Sequence, residues 1–359
     1  MKSIIYSLLV GFAFLVIMSG ESLAASASAD VDLISKAKLD FMGPTTFSLD
    51  QTVVYDVNPE MIEWYKRENS HKREFAQKHG LQLDPSETKE FQLLLHWEVT
   101  LSFFISGDKY RYHAKTFSLG KKTVENEQWA WFDGRTKKIY DPLSKLGNVM
   151  LNDGITLPNL IENPRALPYR LYDKYLWEWP ATNSTISVRQ YSKNGMQLLE
   201  HSIRTPTAPD ADILIKTIWD PRTLTLLGSE CLGKKKNKGQ DVLSVTLESR
   251  DFLNHFSLST GMHYPQKAIV TRYVAEQPTN RNSDKMLLRD TTTVVSSNIK
   301  ADLMDQKNVF DAVFPIGTRV HNAITDISYV QGDKTLTGKN AAEAKVKNRS
   351  IPSPPSIAQ

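Results

Sequence analysis

Covalent chemistry in this chain would have to come from its eight histidines, its single cysteine, Cys231, and its 40 acidic residues. A thiol nucleophile needs a base to deprotonate it, and His201, His255 and His263 are the histidines that could approach Cys231. Cys231, however, sits in a segment with the apolar pattern of a buried strand, where a free cysteine acts as a small hydrophobe. The histidines are scattered, and no H-E-x-x-H pair puts two of them on one helix face to hold zinc. A serine-hydrolase elbow, G-x-S-x-G, is also missing. The nearest stretch, Gly228-Ser229-Glu230-Cys231-Leu232-Gly233, has the wrong spacing and no helical pattern behind it. "GDKTLTGKN" at 332–340 has one residue too many before its Gly-Lys and ends in Asn340 rather than Ser or Thr. It leads into a tail, so no helix N-terminus can complete a phosphate cradle. The expectation is a protein that binds rather than catalyses, with no cofactor and no metal; a hydrolase with dispersed catalytic residues is the third reading.

Composition narrows the partners. A formal charge of +4 over 359 residues is too mild for nucleic-acid binding. The densest basic run, Lys234-Lys235-Lys236-Asn237-Lys238 between Gly233 and Gly239, reads as a solvated hairpin loop, with an anionic membrane surface as the alternative partner. Lys2 precedes an apolar run over 4–18 and then small residues, the pattern of a secretory signal peptide. Cleavage is expected after Ala24, with Ala27 and Ala29 as alternatives, so that 1–24 is the signal peptide. The run is shorter than the ~20 apolar residues of a membrane span, and no stable insertion is expected after cleavage. One cysteine allows no internal disulfide, so an exported chain must be held by its core alone. The expected location is periplasmic or secreted.

The elements that would position any site are mostly strands. From Phe91 to Ile105 every odd position is apolar, which is the period of a long half-buried strand. Gly107-Asp108 then supplies a two-residue loop with glycine first, suiting a type II′ hairpin. With Ser106 facing Lys109, Ile105 meets Tyr110, Phe103 meets Tyr112 and Leu101 meets Ala114, so the apolar faces agree. Further strands are expected at 185–192, 197–205, 212–220, 223–232, 241–250, 264–274 and 285–298. Asn58-Pro59-Glu60 signals a helix start and Gly80 its stop, and a shorter helical region is expected over 158–177, broken at Pro164 and Pro168. The tail, 336–359, is rich in Ala, Lys, Asn, Ser and Pro and is expected to be disordered. The fold class is therefore mainly β (α+β): a large antiparallel sheet, curved and covered because its long strands are apolar on one face, with few helices.

Two short motifs carry a resemblance. Asp133-Gly134, five residues, then Tyr140-Asp141-Pro142 follow a strand with the aromatic-Arg-aromatic element Tyr110-Arg111-Tyr112. Near the end, Phe310, Pro315, Gly317 and Val320 make an F-x4-P-x-G-x-x-V pattern. In this order the chain resembles the periplasmic lipoprotein-carrier family (LolA-like). The resemblance implies a curved antiparallel sheet forming an incomplete barrel over 25–335, with helical insertions and a few helices capping its open side, and an apolar cavity that takes the acyl chains of a lipoprotein. It departs from the family at Lys138, where an aromatic residue is common, with Lys137 beside it, and in its greater length.

The resulting expectation is an exported soluble carrier or binding protein that holds acyl chains of a lipid or lipoprotein. The cavity wall is expected to include Leu95, Trp97, Leu101, Phe103, Tyr110, Tyr112, Trp129 and Trp131. The alternative is an envelope sensor or protein-interaction module on the same fold, with a filled interior, an exposed outer apolar patch and envelope proteins as partners.

Overall fold

The computed structural model describes residues 33–81, 96–118, 123–151, 157, 162–208, 211–235, 243–275, 286–303, 309–310 and 312–333. The signal peptide, the 336–359 tail, most of the lysine loop and Leu95 lie outside the described residues.

Helix α1 (Leu33–Met42) leads into β1 (Thr46–Val57) and helix α2 (Pro59–His79). A first meander follows: β2 (His96–Ser106), β3 (Lys109–Ser118), β4 (Val124–Phe132), β5 (Thr136–Asp141) and β6 (Leu146–Leu151). After a miniature hairpin, β7 (Arg170–Leu171) and β8 (Lys174–Tyr175), comes a second meander. It runs β9 (Thr185–Lys193), β10 (Met196–Ala208), β11 (Ala211–Asp220), β12 (Thr225–Lys235), β13 (Leu243–Ser257), β14 (His263–Ala275) and β15 (Met286–Ala301). Two four-residue strands, β16 (Arg319–Asn322) and β17 (Ile327–Val330), close the order.

All but β7 and β8 form one 15-stranded sheet, in the order β17-β16-β6-β5-β4-β3-β2-β1-β15-β14-β13-β12-β11-β10-β9. The β1–β15 ladder, from Phe47 opposite Ala301 to Val57 opposite Asp290, joins the two meanders. Pairing is antiparallel throughout except where β16 lies parallel to β6. The sheet is curved and its ends β9 and β17 do not meet, the incomplete barrel that the resemblance implies.

The β2–β3 hairpin has the register required by its turn: Ser106 faces Lys109, Ile105 faces Tyr110, Phe103 faces Tyr112 and Leu101 faces Ala114. Gly107 takes φ +59°, the left-handed first position that only glycine adopts without strain. Helix α2 also starts and stops where its caps require. Asn58 Oδ1 accepts the Glu60 N–H at 3.2 Å, and Gly80 takes φ +63° as the C-cap. Its first turn is tied to the sheet, with Met61 packed against Val57 and Leu287 and Asn58 Nδ2 donating to the Leu288 carbonyl at 2.9 Å.

The expectation for 158–177 needs correction. Its described part holds no α-helix, only single 3-10 turns at Pro164–Ala166 and Leu176–Glu178 around the β7–β8 hairpin. Proline lacks an N–H and disfavours helical backbone in the residue before it, so Pro164 and Pro168 stop a helix from propagating. Sheet side chains satisfy the carbonyls instead: Tyr264 donates its OH to Pro164 O at 2.6 Å, and Arg250 Nη1 donates to Leu167 O at 3.0 Å.

This 162–179 segment and α1 together cover the inner face of the sheet. Leu33, Ile34 and Ala37 of α1, and Leu167, Tyr169, Leu171, Leu176 and Trp179 of the segment, share one core with Phe47, Leu101, Phe103, Tyr110, Tyr112, Phe252 and Tyr264. Phe41 bridges the two covering pieces, its ring 5.3 Å from both Tyr175 and Trp177.

The Asp133-Gly134 turn is held by its own side chain, since Asp133 Oδ1 accepts the N–H groups of Arg135 at 2.9 Å and Thr136 at 2.7 Å. Both bonds are exposed and water can replace them. Asp133→Ala should therefore lower stability by only about 0.5–1 kcal/mol, read from a shifted urea midpoint at constant m-value. A loss above ~2 kcal/mol would mean that the turn organises more than its own hairpin.

Candidate functional site

Strand pairing brings together five of the eight residues predicted to line a cavity. Trp97, Leu101 and Phe103 from β2 and Tyr110 and Tyr112 from β3 all point to the inner face, and all are buried. Tyr55, on the neighbouring strand β1, packs its ring 5.1 Å from Trp97. Its phenol is pushed up to about 12, by burial first and then by the Asp290 carboxylate. Tyr112 donates its OH to Gln128 Oε1 at 2.8 Å, and burial raises its pKa too.

Trp129 and Trp131 are placed elsewhere. In β4 it is Ala130 that faces Tyr112 and Phe132 that faces Tyr110, so the two tryptophans lie on the opposite, outer face. They share a face with each other, as alternation requires, but not with the β2–β3 aromatics. Trp129 stacks on His113 with ring centroids 3.7 Å apart, and Trp131 follows at 5.9 Å. His113 accepts or donates at Nε2 with Glu127 Oε1 at 2.7 Å. Burial still lowers its pKa, outweighing the neighbouring carboxylate. Both tryptophans are half-buried.

The inner-face aromatics are buried in one core with the covering pieces, and the cavity next to the covering segment is small. It holds about 20 Å³ between Gln51, Val53, Glu162, Leu167, Arg272 and Thr292, space for roughly one water. Sites that enclose a small ligand run to roughly 300–1,000 Å³.

Beside that cavity lies a buried ionic cluster that tethers the segment to the sheet. Arg250 grips Glu162 with a two-pronged fork, Nη1 to Oε2 at 2.7 Å and Nη2 to Oε1 at 2.8 Å. Its Nε meets Glu248 Oε1 at 2.7 Å, and the same oxygen accepts the Tyr172 N–H at 3.2 Å. Arg272 reaches Glu162 at 3.2 Å, Glu248 at 3.4 Å and Asp290 at 2.9 Å. Burial alone would raise the Glu162 carboxyl, but the Arg250 and Arg272 guanidiniums hold it below its ordinary value. Arg250 is 1% exposed and Asp290 is fully buried, so neither charge could stand there unpaired.

Sequence reasoning did not find this cluster. A signal was present: Glu248 and Arg250 alternate with Ser249 at inward positions of β13, and Arg272 and Asp290 face the same way in β14 and β15. Charges at inward positions of otherwise apolar strands point to a buried network.

The two motif segments meet in space. Tyr140 packs its ring 6.3 Å from Phe314, and Lys138 Nζ donates to the Ala312 carbonyl at 2.8 Å. Phe314, Val320 and Val149 form a second small core with Tyr140. The adjacent lysines divide between the faces: Lys138 joins the outer one, while Lys137 points inward and is 3% exposed. Cys231 is fully buried in β12, its thiol pushed up to about 12 by burial and then by Glu248 and Glu230.

Among the described residues, no helix is long and apolar enough to cross a membrane, and no group of three His, Cys, Asp or Glu side chains is placed to hold a metal. No protein-family model matches the chain, and no curated protein matches it. Among solved structures it is similar to an outer membrane lipoprotein-sorting protein domain from Vibrio parahaemolyticus. The TM-score is 0.36 at 9% identity, over 78% of this chain and 95% of that one. A similarity at that level leaves the reading of this chain to its own residues.

Proposed function

We propose that the chain is an exported binding protein, not an enzyme, which takes acyl chains of a lipid or lipoprotein against its inner face when the 162–179 segment moves aside. One observation carries this reading. The broad apolar face that includes Trp97, Leu101, Phe103, Tyr110 and Tyr112 is covered partly by a segment with little ladder of its own. That segment is tethered to the sheet by Arg250, Arg272 and Tyr264 side chains. The segment adds no strand to the 15-stranded sheet, so it can part from the inner face without breaking a ladder of that sheet.

The test is uptake of an uncharged pyrene-labelled diacylglycerol by the full chain. Glu162→Gln weakens the fork and should speed uptake several-fold, with faster hydrogen exchange at Tyr169 and Leu176 and no change in the β1–β15 ladder. Acyl lipid should also co-extract with protein purified from its own envelope. No saturable uptake in either form, together with lipid-free native protein, would sink the reading.

A second reading, an envelope sensor or protein-interaction module, is favoured by the small size of the cavity beside the covering segment and by the half-exposed Trp129–Trp131 pair on the outer face. Trp129→Ala with Trp131→Ala should then abolish capture of an envelope partner, and neither form should show saturable diacylglycerol uptake.

A further inference from the structure

The end of the sheet built by β6, β16 and β17 carries a groove of about 500 Å³, within the range of ligand-binding sites. The register decides its chemistry. Arg319 and His321 are alternate residues of β16 and share one face. Leu146 and Asn148 of β6 pair with them on one side, and Val330 and Ser328 of β17 on the other. All six line the groove.

His321 Nδ1 lies 3.2 Å from Ser328 Oγ, which fixes the ring and leaves Nε2 for another partner. Among the described residues, neither that nitrogen nor the Arg319 guanidinium has a side-chain or backbone partner. Among the described residues no carboxylate lines the groove, while two exposed aliphatic side chains, Leu146 and Val330, flank the two basic groups. A guanidinium fork suits a phosphate or carboxylate, and flanking aliphatics suit a hydrocarbon rather than a bare ion.

We propose that this groove binds an anionic amphiphile, with its phosphate or carboxylate on Arg319 and His321 and its apolar part on Leu146 and Val330. The pairings place Leu146, Asn148, Arg319 and His321 on the same side of the sheet as the inward Lys137 and Ile139, at its β17 end. No residue of the 162–179 segment lines the groove, so binding there requires no movement of that segment. It is thus independent of the acyl-chain reading.

Octyl phosphate, below its micelle concentration, is the probe, titrated into the full chain by calorimetry. Octyl glucoside and inorganic phosphate serve as comparators. Octyl phosphate should bind saturably and at least about tenfold more tightly than either comparator, because loss of a charge-assisted bond costs at least that factor. Arg319→Gln should weaken it about tenfold or more, and Leu146→Asn several-fold. Glu162→Gln should leave it unchanged. Arg319 is exposed, so the glutamine variant should keep the wild-type unfolding midpoint. Equal affinity for octyl glucoside would remove the anion from the proposal, and equal affinity for inorganic phosphate would remove the amphiphile. Wild-type affinity in Arg319→Gln, or no saturable binding, would overturn it altogether.

Discussion

Arg250→Ala should cost the protein about 3–5 kcal/mol, the usual consequence of removing one partner from a buried charge cluster. The substitution takes away both prongs to Glu162, the contact with Glu248 and the donor to Leu167 O. Arg272 still reaches both carboxylates, which sets the upper limit on the loss. In a Glu162→Gln background the same substitution should cost at least ~1 kcal/mol less, because the two side chains are directly coupled. Equilibrium urea unfolding of the four forms checks this. A loss below ~1 kcal/mol in the wild-type background would mean that the fork contributes nothing net.

The same cluster carries a pH dependence with a definite sign. The Glu162 carboxyl is held below its ordinary value of 4.5, so the folded state binds its proton less readily than the unfolded chain. Its contribution is fully present above that ordinary value and is lost as pH falls through the lower, folded one. The stability gap between wild type and Glu162→Gln should therefore be constant near neutrality and shrink in acid. A gap that widened on acidification would reverse the assignment.

Gly147→Val should be the second severe change. A Cβ at this position would stand 2.8 Å from Phe314 Cε1, 2.9 Å from Cδ1 and 3.1 Å from Thr318 Cγ2. Phe314 is nearly buried against Val149 and Val320, so it has little room to yield. Overpacking of this kind costs about 1–3 kcal/mol or more. Gly147→Ala gives the clean sign test. Reduced freedom of the unfolded chain would stabilise the alanine form by about 0.4–1 kcal/mol if the site were open. A net loss, partly recovered when Phe314→Ala is added, identifies the clash. The strand that should loosen is β16, whose amides should exchange faster while those of β2 and β3 do not. Unchanged exchange in β16 would show that Phe314 does not hold that strand to β6.

Strong local signals were legible without the structure. The β2–β3 register followed from a glycine-first loop and alternation, and the α2 boundaries from Asn58 and Gly80. The strands of the second meander were placed within a few residues at most ends, although β13 runs seven residues past its expected end. Short or mixed elements were not. Strand β1 interrupts its apolar alternation with Gln51, which turns inward and donates to Tyr264 and Ser296, and β16 and β17 are only four residues each. Alternation placed Trp129 and Trp131 on a common face, but nothing local told which face. That depends on the β3–β4 register, which shifts at Thr116 and Phe117.

The amino-acid sequence by itself determined a mainly β chain, its long hairpins, its capped helix and the apolar strip that became the core. These are encoded in side-chain period and turn chemistry within a few residues of one another. The tertiary structure alone decided what covers that strip, how charges from β13, β14 and β15 converge on Glu162, and where the FDGRTKKIYDP segment meets the chain's closing strands. Those arrangements pair residues tens to hundreds of positions apart, and they exist only once the β1–β15 ladder has joined the two halves of the sheet.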